Sequence, residues 1–245
     1  MSAMVRSLSV VRLGLTRYAP MIRLMEALAD RRRDGLIGES LLTLQHHPVY
    51  TMGKRPTEHH ILVSDEKLRE LGAEVHKVPR GGEVTFHGPG QIVCYPIISL
   101  RELRLGPRAY VEALEDVMVD VAALYGVQAR GRLSHMTGVW VGDRKIGAIG
   151  IRVSRGGITT HGLAFNVNPN LEFYKHIIPC GMEGKGVTSL QVECAEREVV
   201  DPSVVREQLV ASFMKRLNLH ERTDEASNLH VVASDVLQEA DVEIR

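Results

Sequence analysis

The chain has 245 residues, 44% of them apolar and 24% charged, with 30 basic residues balancing 30 acidic ones. That length and composition suit one substantial globular α/β domain, and the zero net charge argues against a nucleic-acid binder, which normally shows a basic excess. Three cysteines (Cys94, Cys180 and Cys194) without a CxxC pair argue against a secreted disulfide framework and a structural zinc site, so an intracellular, reducing compartment is expected; no apolar run approaches the ~20 residues of a membrane span.

Val10–Leu15 reads as a first strand. The same N-terminal stretch carries Arg6, Arg12, Arg17 and Arg23 and no acid through residue 25, so a mitochondrial presequence is the competing reading. Met21, Leu24, Met25 and Leu28 recur at helical spacing and predict an amphipathic helix over 18–33. A strand at Leu41–Gln45 runs into a polar loop with the pairs His46-His47 and His59-His60. Ser64 then caps a short helix with Asp65 and Glu66 in its first turn. Glu74–Val78 and Gln91–Ile98 are strands, and Pro96 predicts that the second one bends or lies at an edge.

The clearest helix has Pro107 at its first position and Gly126 just past its end. Val111, Leu114, Val117, Met118, Val121 and Leu124 form its apolar stripe. Thr137–Val141, the two-residue turn Gly142-Asp143 and Lys145–Val153 form a hairpin. Arg155-Gly156-Gly157 turns the chain into Ile158–Val167, and a last helix runs from Asp201-Pro202 to about Leu217. These elements predict one α/β (α+β) domain over 1–245 with a mixed sheet and packed helices, a core over about 10–220 and a peripheral tail over 221–245. The basic clusters Arg31-Arg32-Arg33 and Arg101–Arg108 are either docking patches or solvated faces.

Three segments can carry chemistry. Arg80-Gly81-Gly82-Glu83-Val84-Thr85-Phe86-His87-Gly88-Pro89-Gly90 has four glycines, which let backbone N–H groups approach a ligand; it matches no nucleotide-binding fingerprint and could equally be a structural turn. In Lys145-Ile146-Gly147-Ala148-Ile149-Gly150, simple alternation puts Lys145, Gly147, Ile149 and Ile151 on one face. Lys145 there is either a desolvated base or a hairpin-end lysine with its amine in water. Ile177-Ile178-Pro179-Cys180-Gly181 places a cysteine in a loop, the setting expected of a reactive thiol, whereas Cys94 sits inside an apolar strand and Cys194 has no base nearby in sequence. A free thiol is only about 3% ionised at pH 7, so Cys180 needs an activator, which Lys145 can supply. His87 and His161 lie beside glycines and read as pocket residues; no histidine set has zinc spacing, so no metal is expected.

Six ordered blocks resemble the lipoyl(octanoyl) transferase family, also called lipoate-protein ligase B. They are H-H-P-V-Y-T-M-G at 46–53, R-G-G-E-V-T-F-H-G-P-G-Q at 80–91, T-G-V-W-V at 137–141, K-I-G-A-I-G at 145–150, H-G-L-A-F-N-V at 161–167 and I-I-P-C-G at 177–181. The resemblance runs from about Val10 to Leu190. It implies the fold of biotin and lipoate ligases and class II aminoacyl-tRNA synthetase catalytic domains. It implies octanoyl–acyl carrier protein as donor. The implied acceptors are the lipoyl domains of 2-oxoacid dehydrogenase E2 subunits and the glycine cleavage H protein. By the same resemblance Cys180 holds the acyl thioester and Lys145 lowers its pKa. Arg80, Gly81, Gly82, Glu83, Val84, Thr85, Phe86 and His87, with Ala148, Ile149 and Gly150 and with Gly162, Leu163 and Ala164, line the substrate site. Exchange of one thioester for another needs no ATP and no cofactor. The compartment implied is the cytoplasm in a bacterium and the mitochondrion in a eukaryote, with no membrane or nucleic-acid partner and a monomer as the default. The competing functions are an ATP-dependent lipoate or biotin ligase on the same fold, which needs no cysteine nucleophile, and a non-catalytic module that binds acyl carriers or lipoyl domains.

Overall fold

The structure, a computed structural model, describes residues 6–55, 60–178, 184–194, 199–222 and 229. In chain order the elements are β1 (Arg6–Thr16), α1 (Tyr18–Arg33), β2 (Glu39–His46), β3 (Val49–Met52), α2 (Asp65–Glu70), β4 (Glu74–Lys77), β5 (Thr85–His87), β6 (Gln91–Ile97), α3 (Leu100–Leu103), α4 (Pro107–Leu124), β7 (Val139–Val141), β8 (Arg144–Val153), β9 (Thr159–Asn166), β10 (Gly186–Val187), α5 (Leu190–Glu193), α6 (Pro202–Leu217) and β11 (Leu219–Glu221).

Local signals place many of the boundaries. The Ser64 hydroxyl accepts from Lys67 N at 3.3 Å and starts α2. Asp201 accepts from Ser203 N at 2.7 Å and starts α6, with Pro202 in its first turn. Gly126 takes φ +71° directly after α4, a conformation that glycine adopts without steric cost. Gly142-Asp143 closes the β7–β8 hairpin as a two-residue loop, Val141 facing Arg144.

The strands form two sheets. The large mixed sheet has eight strands in the order β10-β8-β9-β6-β2-β1-β11, with β7 also on β8; the small one is β4-β3-β5. Period-2 alternation splits the large sheet between two cores. Val10, Leu41, Ile92, Cys94, Leu163 and Phe165 pack under α4 and α6, while Val11, Leu13, Leu42, Val93, Tyr95 and Ala164 face the side that α1 covers. The α4 stripe of Leu114, Val117, Met118 and Val121 is fully buried, worth about 1.5–3 kcal/mol for each large side chain.

The strand reading of the N-terminal stretch holds, and two expectations change. The basic N-terminal stretch is part of the fold from Arg6 onward: β1 pairs with β2 and β11, and Arg12 bonds Glu207 and Glu221. Pro96 lies on a central strand rather than at an edge. The β6–β9 ladder stops at Cys94↔Leu163 and pairing resumes only at the Ser99↔Ile158 bridge, so the missing Pro96 N–H falls in the gap. Thr159 Oγ1 fills that gap, donating to Pro96 O at 2.8 Å and accepting from Ile98 N at 3.1 Å. Finally, Leu219–Glu221 joins the sheet and Leu229 is buried against the α1-side core, so the polar C-terminal stretch is not wholly peripheral.

Candidate active site

The floor of the site is the α1-side face of the large sheet. On that face the middle of β8 and β9 presents small residues, matched across the ladder as Ala148↔Ala164 and Gly150↔Gly162. Bulkier residues along this floor would narrow the space; these positions border a cavity of about 410 Å³, within the usual range for small-ligand sites. The loop 80–83 and strand β5 form the roof. Gly81 N donates to Ile151 O at 2.9 Å and Lys54 N donates to Arg80 O at 3.0 Å, holding the loop down over β8. A Cβ at Gly53 would overlap the Gly82 carbonyl oxygen, so the close crossing of these two backbones needs glycine.

Arg80 is buried, and its guanidinium organises the roof. It donates to Thr51 O and Thr51 Oγ1, both at 2.7 Å, and to Gly81 O at 2.9 Å. The network continues through His87. Its Nδ1 donates to Gln91 Oε1 at 2.7 Å, which leaves Nε2 to accept from Thr51 Oγ1 at 3.3 Å. Gln91 Nε2 in turn donates to Asn166 Oδ1 at 2.9 Å. His46 Nδ1 donates to Thr16 O at 2.9 Å, and the Tyr95 hydroxyl donates to its Nε2 at 2.8 Å. Among the described residues no group of three His, Cys, Asp or Glu side chains gathers as a metal site.

Burial keeps these histidines neutral. It lowers His46 and His161 to about 4, and it holds His87 well below its usual value, with the neighbouring His46 adding to the effect. The unfolded chain therefore binds protons below about pH 6.5 that the folded chain refuses. Stability is expected to be flat above that pH and to fall between about 6.5 and 4, by at most about 1.4 kcal/mol per pH unit for each such histidine. The carboxyl groups held low by basic or hydrogen-bonding neighbours, Glu102, Asp120 and Asp201, act only below about pH 4.5, so the two effects separate. Urea midpoints at pH 7 and pH 5 check this; equal midpoints would contradict it.

Lys145 reaches the same cavity through an irregularity in β8. Val139 pairs with Gly147 but Trp140 pairs with Lys145, so Ile146 is an extra residue, a β-bulge. Ile146 is in the α4-side core, and a Cβ at Gly147 would meet Met118 Sδ at 2.5 Å, so both point toward α4. Lys145 is thereby turned away from Gly147, Ile149 and Ile151 and onto the wall shared with Thr85 and Ala148. The expectation from plain alternation, all four on one face, is corrected: the bulge breaks the period of two. Lys145 is 7% exposed, and its amine lies 4.7 Å from the centre of the Trp140 ring, so the hairpin-end reading with the amine in water does not hold.

A carboxylate outside every motif helps hold it. Glu115, buried on α4, accepts from Gly138 N at 2.8 Å and Arg132 N at 2.7 Å. Gly138 has φ +115°, and a Cβ there would come 2.5 Å from Gly147 O and 3.4 Å from Lys145 Cε. The Glu115–Gly138 contact thus packs the backbone against the Lys145 stem.

Residues 17–214 match the family model described as the lipoyl protein ligase A/B catalytic domain. The chain belongs to the lipoyl protein ligase A/B family. A mitochondrial octanoyltransferase of Arabidopsis thaliana is 49% identical over 212 residues, covering 86% of this chain and 88% of that one. An octanoyltransferase of Acidobacterium capsulatum is 40% identical over 222 residues, with 85% and 88% covered. Two solved structures show the expected ligase fold. A lipoate-protein ligase A bound with ATP superposes with a TM-score of 0.68 at 15% identity, covering 96% of this chain and 95% of that one. A bi-partite lipoate protein ligase from Thermoplasma acidophilum superposes at 0.65 and 15%, covering 97% and 93%.

In this family member the structure gathers most of the residues expected at the site. Arg80, Gly81, Gly82, Glu83, Thr85, His87, Lys145, Ala148, Ile149, Gly150, Gly162, Leu163 and Ala164 all border the cavity, as does His161. Val84 and Phe86 do not. Alternation in β5 turns Phe86 into the core of the small sheet, stacked on Phe173 at 4.5 Å, and Val84 packs with it. Cys180 lies outside the described residues. The other two thiols are away from the cavity: Cys94 is in the α4-side core, where burial pushes its pKa up to about 12, and Cys194 packs at the end of α5. Sequence reasoning missed Tyr18, Tyr95, His135 and Thr137 on the cavity wall. Thr137 lay in a quoted block, but only the fold shows which residues around a block face inward.

Proposed function

We propose that this chain takes an octanoyl group from octanoyl–acyl carrier protein onto Cys180 and passes it to a lysine of a lipoyl domain, in E2 subunits and in the glycine cleavage H protein. The observation that carries this reading is a buried lysine at a cavity floored by Ala148, Gly150, Gly162 and Ala164, in a chain 40–49% identical to octanoyltransferases. In the first half, the Cys180 thiolate attacks the donor carbonyl and the carrier thiol leaves. In the second, the acceptor amine attacks the enzyme thioester, an amide forms and the Cys180 thiolate departs. Neither half consumes ATP. Lys145, as a cation beside the thiolate or as the neutral base that takes its proton, keeps Cys180 nucleophilic. Proximity is supported by the chain after Cys180. Seven residues on, Val187 of β10 pairs with Lys145, and Thr188 N donates to Lys145 O at 2.9 Å.

Intact-mass analysis after mixing the enzyme with octanoyl–acyl carrier protein, without ATP, tests the reading. A single octanoyl adduct is expected; its absence, or acylation that needs ATP and survives Cys180→Ala, would favour an adenylate-forming ligase. Lys145→Met is expected to raise the pH at which Cys180 is alkylated. At pH 7 labelling should slow by up to about 30-fold, the gap between a fully ionised thiol and an unassisted one near pKa 8.5. Peptide-level mass spectrometry separates Cys180 from the two packed thiols, and an unchanged pH profile would remove Lys145 from the role.

A further inference from the structure

The cavity has two chemically different ends. Lys145, Thr85 and Ala148 border one. The other lies toward Gly150 and Ile151, where the Arg80 loop crosses β8, and there Tyr95 and His161 stand on the wall. The β8–β9 register places His161 opposite Ile151, four rungs beyond the Gly147↔Phe165 pair. At about 3.4 Å per residue that is roughly 14 Å along the sheet. His161 is unusual in three ways that nothing in the transfer chemistry uses. Its backbone is left-handed, with φ +57°, in the middle of a central strand. Its side chain is only 4% exposed, yet Nδ1 has no hydrogen-bond partner. Its ring stands edge-on to Tyr95, with 6.1 Å between centres. Backbone strain of this kind persists where surrounding structure imposes it, and it concentrates at functional positions.

We propose that His161 is the length gauge of the acyl slot, setting where an alkyl tail running from Lys145 must stop; this rests on the octanoyl-transfer reading. A tail that stops short of His161 lies over Ala148, Gly150 and Ala164, which offer it only apolar contact. A longer tail must push into the imidazole ring, which is buried and packed edge-on against Tyr95, and displacing a close-packed side chain is costly. The stop therefore resides in the bulk of one side chain. The adjacent Gly162 leaves no other side chain at this level of β9 to share the task.

His161→Gly separates this role from a structural one. Glycine relieves the left-handed backbone, so the thermal midpoint is expected to hold or rise, while the slot lengthens. Carrier protein loaded with hexanoyl through tetradecanoyl chains is presented in competition, and enzyme adducts are read by mass. Wild type is expected to favour octanoyl. In His161→Gly the ratio of dodecanoyl to octanoyl uptake should rise at least tenfold, and in His161→Asn, which tolerates the same backbone and stays polar, by a smaller factor. An unchanged ratio in both variants, with octanoyl uptake intact, would overturn the gauge and leave the transfer reading standing. No adduct of any length on wild type would instead sink the transfer reading and the gauge with it.

Discussion

Cys180→Ser is expected to lose octanoyl transfer by on the order of a thousandfold or more, and to form no octanoyl adduct on the time scale on which wild type is fully loaded. The reason is the nucleophile. A serine hydroxyl is not ionised near neutral pH, and a lysine beside it cannot change that as it can for a thiol whose ordinary pKa is about 8.5. The other cysteines serve as internal controls. Cys94 is fully enclosed under α4 and α6 with its thiol pKa near 12, and Cys194 packs at the end of α5 with Sγ 3.9 Å from Gln191 O. Cys194→Ala should therefore keep the adduct. Equal adducts on wild type and Cys180→Ser would remove Cys180 from the mechanism.

Gly162→Ala is expected to destabilise the fold by about 3 kcal/mol or more, the upper end of what overpacking costs. A Cβ there would overlap the Cys94 carbonyl oxygen and lie 2.6 Å from Pro96 Cδ. Neither atom belongs to a flexible side chain, and both are on β6, a central strand held between β2 and β9. Gly150→Ala makes the informative contrast. Its Cβ would come 2.9 Å from Arg80 Cδ and 3.0 Å from Gly81 O, on a loop that can give a little. It should cost less stability while narrowing the cavity. Urea denaturation of the two variants checks the order; equal losses would mean that the β6–β9 approach is not the rigid point.

Histidine placement shows how closely site and stability are joined. His46, His87 and His161 are buried around Tyr18 and Tyr95, and burial keeps all three neutral. A variant that exposes these imidazoles to water should shift the acid transition.

Read as a sequence, the protein already shows its local structure. Ser64, Pro107, Gly126, Asp201 and the Gly142-Asp143 turn act within a few residues of themselves, because caps and two-residue turns are satisfied by their own neighbours. The ordered blocks also carried the family and the small-residue positions 148, 150, 162 and 164. Tertiary structure alone decided the rest. Lys145 faces the cavity only because β7 pairs across a bulge at Ile146, and a strand read by itself has no bulge. Pro96 is central because Thr159, 63 residues away, bonds across its gap. Glu115 holds the Lys145 wall from another element, through Gly138. In each case the deciding partner is distant in sequence, and period-2 or helical spacing holds no record of which distant strand or helix will arrive, or in what register.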